Sequence, residues 1–127
     1  MSKKRAIRTD KAPTPTGPFN QAIRVGNMVF CSGQAGRNRE TGKMGDIHDQ
    51  ARRCIGNLAN ILEAAGASLA DVVKATVYLR NAEDWKGFNE EYLKLMPEPL
   101  PARTSAIVQL KSPDMLCEME VIAVIEE

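Results

Sequence analysis

The sequence predicts an α+β fold, with one mixed β-sheet and two main helices packed on one of its faces. Two segments repeat apolar residues at helical spacing, and five others show the alternation or the β-branched content of strands. Along the chain they run strand, strand, helix, strand, helix, strand, strand, an order that favours a single mixed sheet. The 127 residues suffice for one hydrophobic core. We therefore predict one domain over residues 1–127, with an extended segment over residues 1–15.

The first two predicted strands form a hairpin. Residues 12–18 contain three prolines and one glycine, which exclude regular structure there. Strands follow over residues 22–26 and 28–34, and the Gly26–Asn27 step between them is typical of a tight turn.

The clearest helix lies in the middle of the chain. Its apolar stripe runs from Ala51 to Ala65, and Gly66 follows as a typical stop. Ser68 and Asp71 then match a capping box for one short helical turn.

A buried strand and a second helix come next. Residues 72–79 are rich in β-branched side chains, which favours a strand. Asn81 is a suitable cap for the second helix, and a run of alternating prolines after residue 96 ends it. One face of this helix carries its larger apolar side chains, which are Trp85, Phe88, Tyr92 and Leu95.

Two final strands are predicted over residues 103–110 and 117–125. Side chains of the last strand alternate, so that Met119 faces one side of the sheet and Glu118 the other. Both sides become apolar toward the end of this strand. We therefore expect one sheet face to pack on the helices and the other on a second subunit.

Composition argues against several classes of function. Lys and Arg total 17 against 16 Asp and Glu, a net charge of +1, which gives no field that would attract nucleic acid or an anionic membrane. The basic residues near the start precede no apolar stretch, so we expect a solvated segment and not a targeting peptide. Three cysteines without CxxC spacing favour reduced thiols and a cytoplasmic location, with Cys54 and Cys117 in the core.

The sequence also limits the chemistry that the chain can perform. His48 is the sole histidine, so a catalytic triad would depend on a residue at the polar start of a helix. We predict no metal site, because HxxH, HExxH and CxxC spacings are missing, and no glycine-rich phosphate loop is present. Any catalysis must rely on arginine, carboxylate, hydroxyl and backbone groups.

Arg103 is the leading candidate for binding a small anion. It opens a strand directly after a proline-rich segment that holds the backbone in place, although a surface or structural arginine is an equal alternative on this pattern. Period two puts Ser105 on the same strand face, where a carboxylate would meet both residues. Such a charge-assisted pair contributes roughly 1.5–3 kcal/mol. Glu118, near the start of the last strand, is either a neighbour that positions water or a solvated or ion-paired glutamate.

Four short segments of the chain form a recognisable set. The segments are Gly17-Pro18-Phe19-Asn20-Gln21-Ala22, Phe30-Cys31-Ser32-Gly33-Gln34, Pro101-Ala102-Arg103-Thr104 and Glu118-Met119-Glu120-Val121-Ile122-Ala123. In this order they resemble the RidA/YjgF family, also called the endoribonuclease L-PSP family, and the likeness extends from about residue 16 to residue 125. One segment alone arises easily by chance, whereas the set is highly specific.

The resemblance implies a chorismate-mutase-like fold that assembles as a homotrimer, with the sheets forming a central barrel and the ligand clefts lying between subunits. It implies a cofactor-independent hydrolase. Its substrates would be 2-imino acids, such as 2-iminobutanoate and 2-iminopropanoate, or their enamine tautomers, and its products 2-oxo acids and ammonia. Its partners would thus be small 2-imino or 2-oxo acids, with neither nucleic acid nor membrane involved.

The resemblance also implies roles for individual residues. Arg103 would bind the substrate carboxylate, the backbone at Ser105 would hold the imine or keto end, and Glu118 would orient the attacking water. The cleft would be lined by Phe19, Ser32, Gly33 and Asn89, some of them from the adjacent subunit. Two positions depart from the family's pattern, since Phe19 replaces a common tyrosine and Ser105 a frequent cysteine.

Other interpretations stay open on the sequence alone. The chain could be a deaminase dedicated to one pathway enamine, such as a 2-aminomuconate-like compound, or a non-catalytic module that binds 2-oxo acids or a protein partner. The cleft residues could serve structure alone: Phe19 by packing, Ser32 by completing a turn, and Asn89 by bonding within its helix. A role on RNA, attached to parts of the family, finds little support in the neutral charge.

Overall fold

Six strands and two α-helices make up the part of the chain that the computed structural model describes, residues 3–126. The strands are β1 Lys4–Ile7, β2 Ala22–Val25, β3 Met28–Gln34, β4 Val72–Leu79, β5 Ala102–Ile107 and β6 Cys117–Val124. The helices are α1 Ile47–Ala64 and α2 Trp85–Leu95. The strands form one sheet in the order β1-β2-β3-β6-β4-β5, in which β4 and β5 run parallel and all other neighbours antiparallel. The predicted α+β fold with a mixed sheet is confirmed.

The hydrophobic core lies between one sheet face and the helices. Alternate residues of β6, from Cys117 to Ala123, point into it and are buried, as the period-two pattern predicted. Helix α1 covers β3 and β6 with its apolar stripe, and α2 packs against α1. Burial of each large side chain of α1, such as Leu58 or Ile61, contributes about 1.5–3 kcal/mol. The two helices therefore hold the sheet from one side, as predicted.

A capping box sets the start of α1. The Asp46 carboxylate accepts a hydrogen bond from the backbone N–H of Asp49 at 2.9 Å. The Asp49 carboxylate accepts in turn from the backbone N–H of Asp46 at 3.2 Å. This reciprocal pair begins the helix at Ile47, ahead of the predicted stripe that starts at Ala51.

Strand β1 lies inside the segment that the sequence predicts to be extended and solvated. It pairs antiparallel with β2, with Ala6 beside Ile23. Among the side chains of β1, only Ile7 is buried and the others are exposed. The strand therefore depends on backbone hydrogen bonds to β2, which side-chain periodicity does not reveal.

Strand β5 is shorter than predicted and ends at Ile107 instead of residue 110. The Arg80 guanidinium donates hydrogen bonds of 2.6–2.9 Å to carbonyl oxygens of the segment that follows, at Leu110, Ser112 and Met115. These bonds satisfy the backbone in a turn, so the segment does not need to continue the ladder.

The predicted cap of the second helix is wrong. Asn81 stands before a single 3-10 turn, Ala82–Asp84, and its side chain makes no capping bond to the backbone. The Asn81 amide instead donates to the Asp84 carboxylate at 3.3 Å. The α-helix begins only at Trp85, where the apolar face also begins.

The sheet face away from the helices carries both apolar and polar side chains. Met28 and Phe30 of β3 remain 37% and 39% exposed, and Phe30 lies beside Ile122 of β6. The polar part includes Tyr78, whose hydroxyl donates to Glu120 Oε1 at 2.7 Å. The expectation that a second subunit covers this face stays a prediction.

The cysteines lie where the sequence places them. All three are free and buried, and the Cys54 thiol donates to the Gln34 carbonyl oxygen at 2.9 Å. Burial raises the pKa of the Cys31 thiol to about 12, so this group is a thiol and not a thiolate at neutral pH. The core role predicted for Cys54 and Cys117 is confirmed. Within residues 3–126, neither helix is long and apolar enough to cross a bilayer.

Candidate active site

Arg103 lies on β5 and on the sheet face that the helices cover. The parallel pairing sets Arg103 beside Ala75 and Ser105 beside Val77, two fully buried positions of β4. Arg103 Nε donates a hydrogen bond to Ser105 Oγ at 3.0 Å. The predicted common face of Arg103 and Ser105 is therefore confirmed, and Ser105 fixes one edge of the guanidinium.

Three aromatic rings of α2 surround the Arg103 guanidinium. Its central carbon lies 5.0 Å from the ring centroid of Trp85, 5.2 Å from that of Phe88 and 4.6 Å from that of Tyr92. Each such cation–π contact contributes about 0.5–2 kcal/mol. Burial lowers the pKa of Arg103 below its ordinary value, yet an arginine side chain stays charged at any physiological pH. The rings hold the cation in place.

We call the cavity beside this cation the arginine cleft. It measures about 490 Å³ and is lined by Trp85, Asn89, Tyr92, Leu93, Leu100, Pro101, Arg103 and Ser105. Asn89, predicted to line the site, is therefore beside Arg103. Its Oδ1 is buried without a hydrogen-bond partner among the described residues, so this oxygen makes no bond within its helix.

A second cavity, which we call the glutamate cleft, gathers the other predicted residues. It measures about 670 Å³ and contains Phe19, Ser32, Gly33 and Glu118. Phe19 is 47% exposed, so it forms part of the cleft wall and does not pack into the core. Ser32 Oγ donates to the Asn20 carbonyl oxygen at 2.6 Å, which supports the structural interpretation of this hydroxyl.

Gly33 allows the Glu118 carboxylate to approach the backbone of β3. A Cβ atom at position 33 would lie 2.4 Å from Glu118 Oε2, far inside contact distance. The pairing of β3 with β6 shifts register between Cys31 and Gln34, which places an irregularity at this point. The missing side chain thus creates the space that Glu118 occupies.

The surroundings of Glu118 favour its protonated form. Burial raises the pKa of the Glu118 carboxyl above its ordinary value, the nearby Glu120 raises it further, and Lys111 opposes the shift. Tyr78 donates to Glu120, which holds that second carboxylate in place. A carboxylate with a raised pKa is a stronger base, and its pKa moves toward the pH at which proton transfer is efficient.

The two clefts do not meet within one chain. Glu118 pairs with Tyr78, on the sheet face away from the helices, whereas Arg103 and Ser105 lie on the helix face. Strand β4 also stands between β5 and β6. The sequence interpretation of Glu118 as a neighbour of Arg103 is therefore wrong for a single chain, because chain order does not reveal the inserted strand.

Other candidate groups serve the scaffold. His48 Nδ1 lies 2.8 Å from Glu91 Oε2 and links α1 to α2. Across residues 3–126, no group of three or more His, Cys, Asp or Glu side chains is arranged to hold a metal ion. Sequence reasoning missed Trp85 and Tyr92 as site residues and assigned both to the core face of the helix. Their spacing from Asn89 was the available signal, since positions three or four apart share a helix face.

Comparison with known proteins identifies relatives over nearly the whole chain. The model of the family described as endoribonuclease L-PSP matches residues 9–125. A RutC family protein from Pyrococcus abyssi is 49% identical over 122 residues, covering 94% of this chain and 96% of that protein. A 2-iminobutanoate/2-iminopropanoate deaminase from Dermatophagoides farinae is 41% identical over 128 residues, covering 99% of this chain and all (100%) of that protein. The crystal structure of RidA from an Antarctic Psychrobacter superimposes with a TM-score of 0.89 at 39% identity, covering 95% of this chain and 99% of that one.

Proposed function

The chain belongs to the RidA/YjgF family, also described as the endoribonuclease L-PSP family, and on this premise we propose that it hydrolyses reactive 2-imino acids to 2-oxo acids and ammonia. The observation that carries the proposal is the Arg103 cation, which borders an open cleft and keeps its Nη2 without a hydrogen-bond partner among the described residues. A small carboxylate is the simplest ligand for such a group. Imino acids such as 2-iminobutanoate and 2-iminopropanoate carry that carboxylate next to the reactive carbon.

Arg103 binds the substrate carboxylate in this proposal. Ser105 and the rings of α2 already hold the guanidinium, so little side-chain freedom is lost when the ligand arrives. A charge-assisted bond of this kind contributes about 1.5–3 kcal/mol. The backbone at Ser105 holds the imine or keto end of the molecule.

Glu118 supplies the base that activates water. Water adds to the imine carbon as its proton passes to the carboxylate, and the imine nitrogen takes up a proton to give a carbinolamine. Loss of ammonia then restores a C=O bond in the 2-oxo acid. The raised pKa of Glu118 suits both directions of proton transfer, an effect worth typically about 10²–10⁴ in rate. An imine is already electrophilic, so the reaction needs orientation and a base but no cofactor.

We infer that the active site forms between two copies of the chain. Arg103 and Glu118 lie in separate clefts on opposite sheet faces, so a second copy must bring a glutamate cleft to each arginine cleft. Around the arginine cleft, Leu93 and Leu100 are 64% and 39% exposed, apolar surface that a neighbour would cover. A head-to-tail contact of this kind forms a ring when the rotation between successive copies closes. We propose a homotrimer whose sheets form a central barrel, in which the exposed Met28 and Phe30 become interior.

The departures at two cleft positions bear on the substrate's side chain. Phe19 presents a half-exposed ring without a hydroxyl to the glutamate cleft, so this wall offers no hydrogen bond there. Ser105 Oγ accepts a hydrogen bond from Arg103 Nε, and its O–H group can still donate. The Phe19 wall favours small apolar side chains, as in 2-iminobutanoate, over polar ones. A cytoplasmic location stays a prediction from the composition.

A coupled assay tests the proposal. A dehydratase generates 2-iminobutanoate, semicarbazide traps the imine that survives, and wild-type protein is compared with Arg103→Ala and Arg103→Lys. We expect faster loss of imine with wild type alone and partial activity at most with lysine, which keeps the charge but not the planar fork. Binding of 2-oxobutanoate without any hydrolysis would favour the non-catalytic module, and activity confined to a 2-aminomuconate-like compound would favour the dedicated deaminase.

A further inference from the structure

Three buried polar atoms that lack a partner gather in the arginine cleft. Across residues 3–126, the buried side-chain nitrogen and oxygen atoms without a hydrogen bond are Asn89 Oδ1, Tyr92 Oη and Arg103 Nη2. All three residues line the same cavity. A buried polar group without a partner costs free energy, so native structures rarely keep several together unless a ligand satisfies them. The cleft therefore has binding capacity beyond Arg103.

The position of Tyr92 places its phenol beside the cation. Its ring centroid lies 4.6 Å from the central carbon of the guanidinium, the shortest of the three ring contacts. Tyr92 is only 4% exposed, so its hydroxyl is already removed from water before a ligand binds. The Arg103 Nε is engaged by Ser105, which leaves Nη2 and the phenol as two donors on the same cleft wall.

We propose that Tyr92 is a second substrate-binding residue, whose hydroxyl donates to one oxygen of the substrate carboxylate while Arg103 Nη2 donates to the other. This inference rests on the proposed function and adds to it the recognition of a planar, two-oxygen anion. The two donors are fixed and stripped of water in advance, so a carboxylate gains their hydrogen bonds without first displacing solvent. Asn89 Oδ1 only accepts hydrogen bonds, so it repels a carboxylate and fits an N–H group of the ligand.

The ionisation of Tyr92 agrees with a donor role. Burial raises the pKa of its hydroxyl above the ordinary value, and the charge of Arg103 only partly opposes that shift. The phenol therefore keeps its proton throughout the physiological pH range and donates it in a hydrogen bond. A tyrosinate at this position would repel the carboxylate that Arg103 attracts.

Ligand titration of the Tyr92→Phe variant tests the proposal. The chain has one tryptophan, Trp85, and it lines the arginine cleft, so its fluorescence reports binding of 2-oxobutanoate directly. We expect Tyr92→Phe to raise the Kd for 2-oxobutanoate about 10-fold, the size of one hydrogen bond to a charged group. The KM for 2-iminobutanoate should rise by a similar factor, while kcat changes by less than about twofold. The Kd for the neutral analogue 2-oxobutanamide should not increase.

Two controls separate a binding role from a structural one. Thr104→Val removes a hydroxyl from the same region of β5, where Thr104 Oγ1 accepts from Lys74 Nζ at 2.7 Å, and it should leave the Kd unchanged. Because Tyr92 Oη has no hydrogen-bond partner within residues 3–126, Tyr92→Phe should not lower the melting temperature. In an Arg103→Ala background, Tyr92→Phe should have less than about a twofold further effect, since a carboxylate that is no longer anchored does not reach the phenol.

The outcomes distinguish this inference from the function on which it rests. Wild-type protein that binds 2-oxobutanoate and hydrolyses the imine, together with an unchanged Kd in Tyr92→Phe, would overturn the role of Tyr92 alone. A lower melting temperature with equal losses for 2-oxobutanoate and 2-oxobutanamide would also overturn it and assign the hydroxyl to the fold. Wild-type protein that neither binds 2-oxobutanoate nor hydrolyses 2-iminobutanoate would overturn both proposals.

Discussion

Mixing two inactive variants tests whether each active site is shared between subunits. Arg103→Ala lacks the carboxylate contact, and Glu118→Gln lacks the base but keeps the shape of its side chain. The two positions lie in separate clefts on opposite sheet faces, so neither change damages the cleft that the other variant must contribute. Each pure variant should hydrolyse 2-iminobutanoate no faster than the uncatalysed control.

The structure sets the size of the recovery. A site in a mixed ring is intact when a Glu118→Gln subunit supplies the arginine cleft and an Arg103→Ala subunit supplies the glutamate cleft. In an equimolar, randomly assembled mixture each condition holds at half of the interfaces, so about one quarter of the sites are intact. This fraction does not depend on the number of subunits in the ring.

The assay uses the two variants after joint dilution from denaturant, with subunit composition verified by native mass spectrometry. Recovery of about a quarter of the wild-type rate per site is expected. Arg103→Ala mixed with the double variant Arg103→Ala/Glu118→Gln should stay inactive, because no subunit then supplies the cation. Correctly mixed rings that are no more active than their parents would refute the shared site.

Three further predictions follow from single contacts. Gly33→Ala places a Cβ 2.4 Å from Glu118 Oε2. It should lower kcat by about 10–100-fold with little change in the Kd for 2-oxobutanoate. A larger change in Kd than in kcat would contradict this prediction. Glu118 must be ionised to act as base, so kcat/KM should fall as the pH drops through its raised pKa. Because Lys111 lowers that pKa, Lys111→Met should move the acid limb of the pH profile to higher pH, and an unmoved limb would exclude Glu118 as the titrating base. The pKa of Glu91 is lowered in the folded chain, first by its hydrogen bond to His48. The ionised carboxylate therefore stabilises the fold at pH values above its unfolded-state pKa, and this stabilisation is lost as the pH falls through its folded-state pKa. Glu91→Gln should therefore reduce the melting temperature at neutral pH, with the difference from wild type shrinking in acid, and a difference that persists at low pH would count against an ionic origin.

Much of the fold follows from local periodicity in the sequence. The start of β2, both bounds of β3 and β4, and the alternating burial of β6 agree with the predicted pattern. These elements carry their own signal because one side of each faces the helices. Strand β1 carries none, since only Ile7 among its side chains is buried and its pairing is made by the backbone.

The candidate site could be predicted only in parts. The strand period was enough to join Arg103 to Ser105, and the family resemblance was enough to name the residues of the glutamate cleft. Sequence reasoning did not separate Arg103 from Glu118, because the insertion of β4 between their strands is a property of topology. Tyr92 was missed because an aromatic residue on an apolar helix face is normally part of the core. Only the structure shows that its hydroxyl has no hydrogen-bond partner in the described part of the chain.

Strand β5 carries the ligand-binding residue Arg103 and lies at the edge of the sheet. This position has a thermodynamic consequence. If a neighbouring copy completes the pocket around Arg103, the free energies of association and of ligand capture are linked. The factor by which assembly increases the affinity for the ligand must equal the factor by which the ligand increases the affinity of the subunits for one another. The concentration of the ligand would then set the fraction of the chain that is assembled into complete rings. Dilution would stop catalysis before it unfolds the chain.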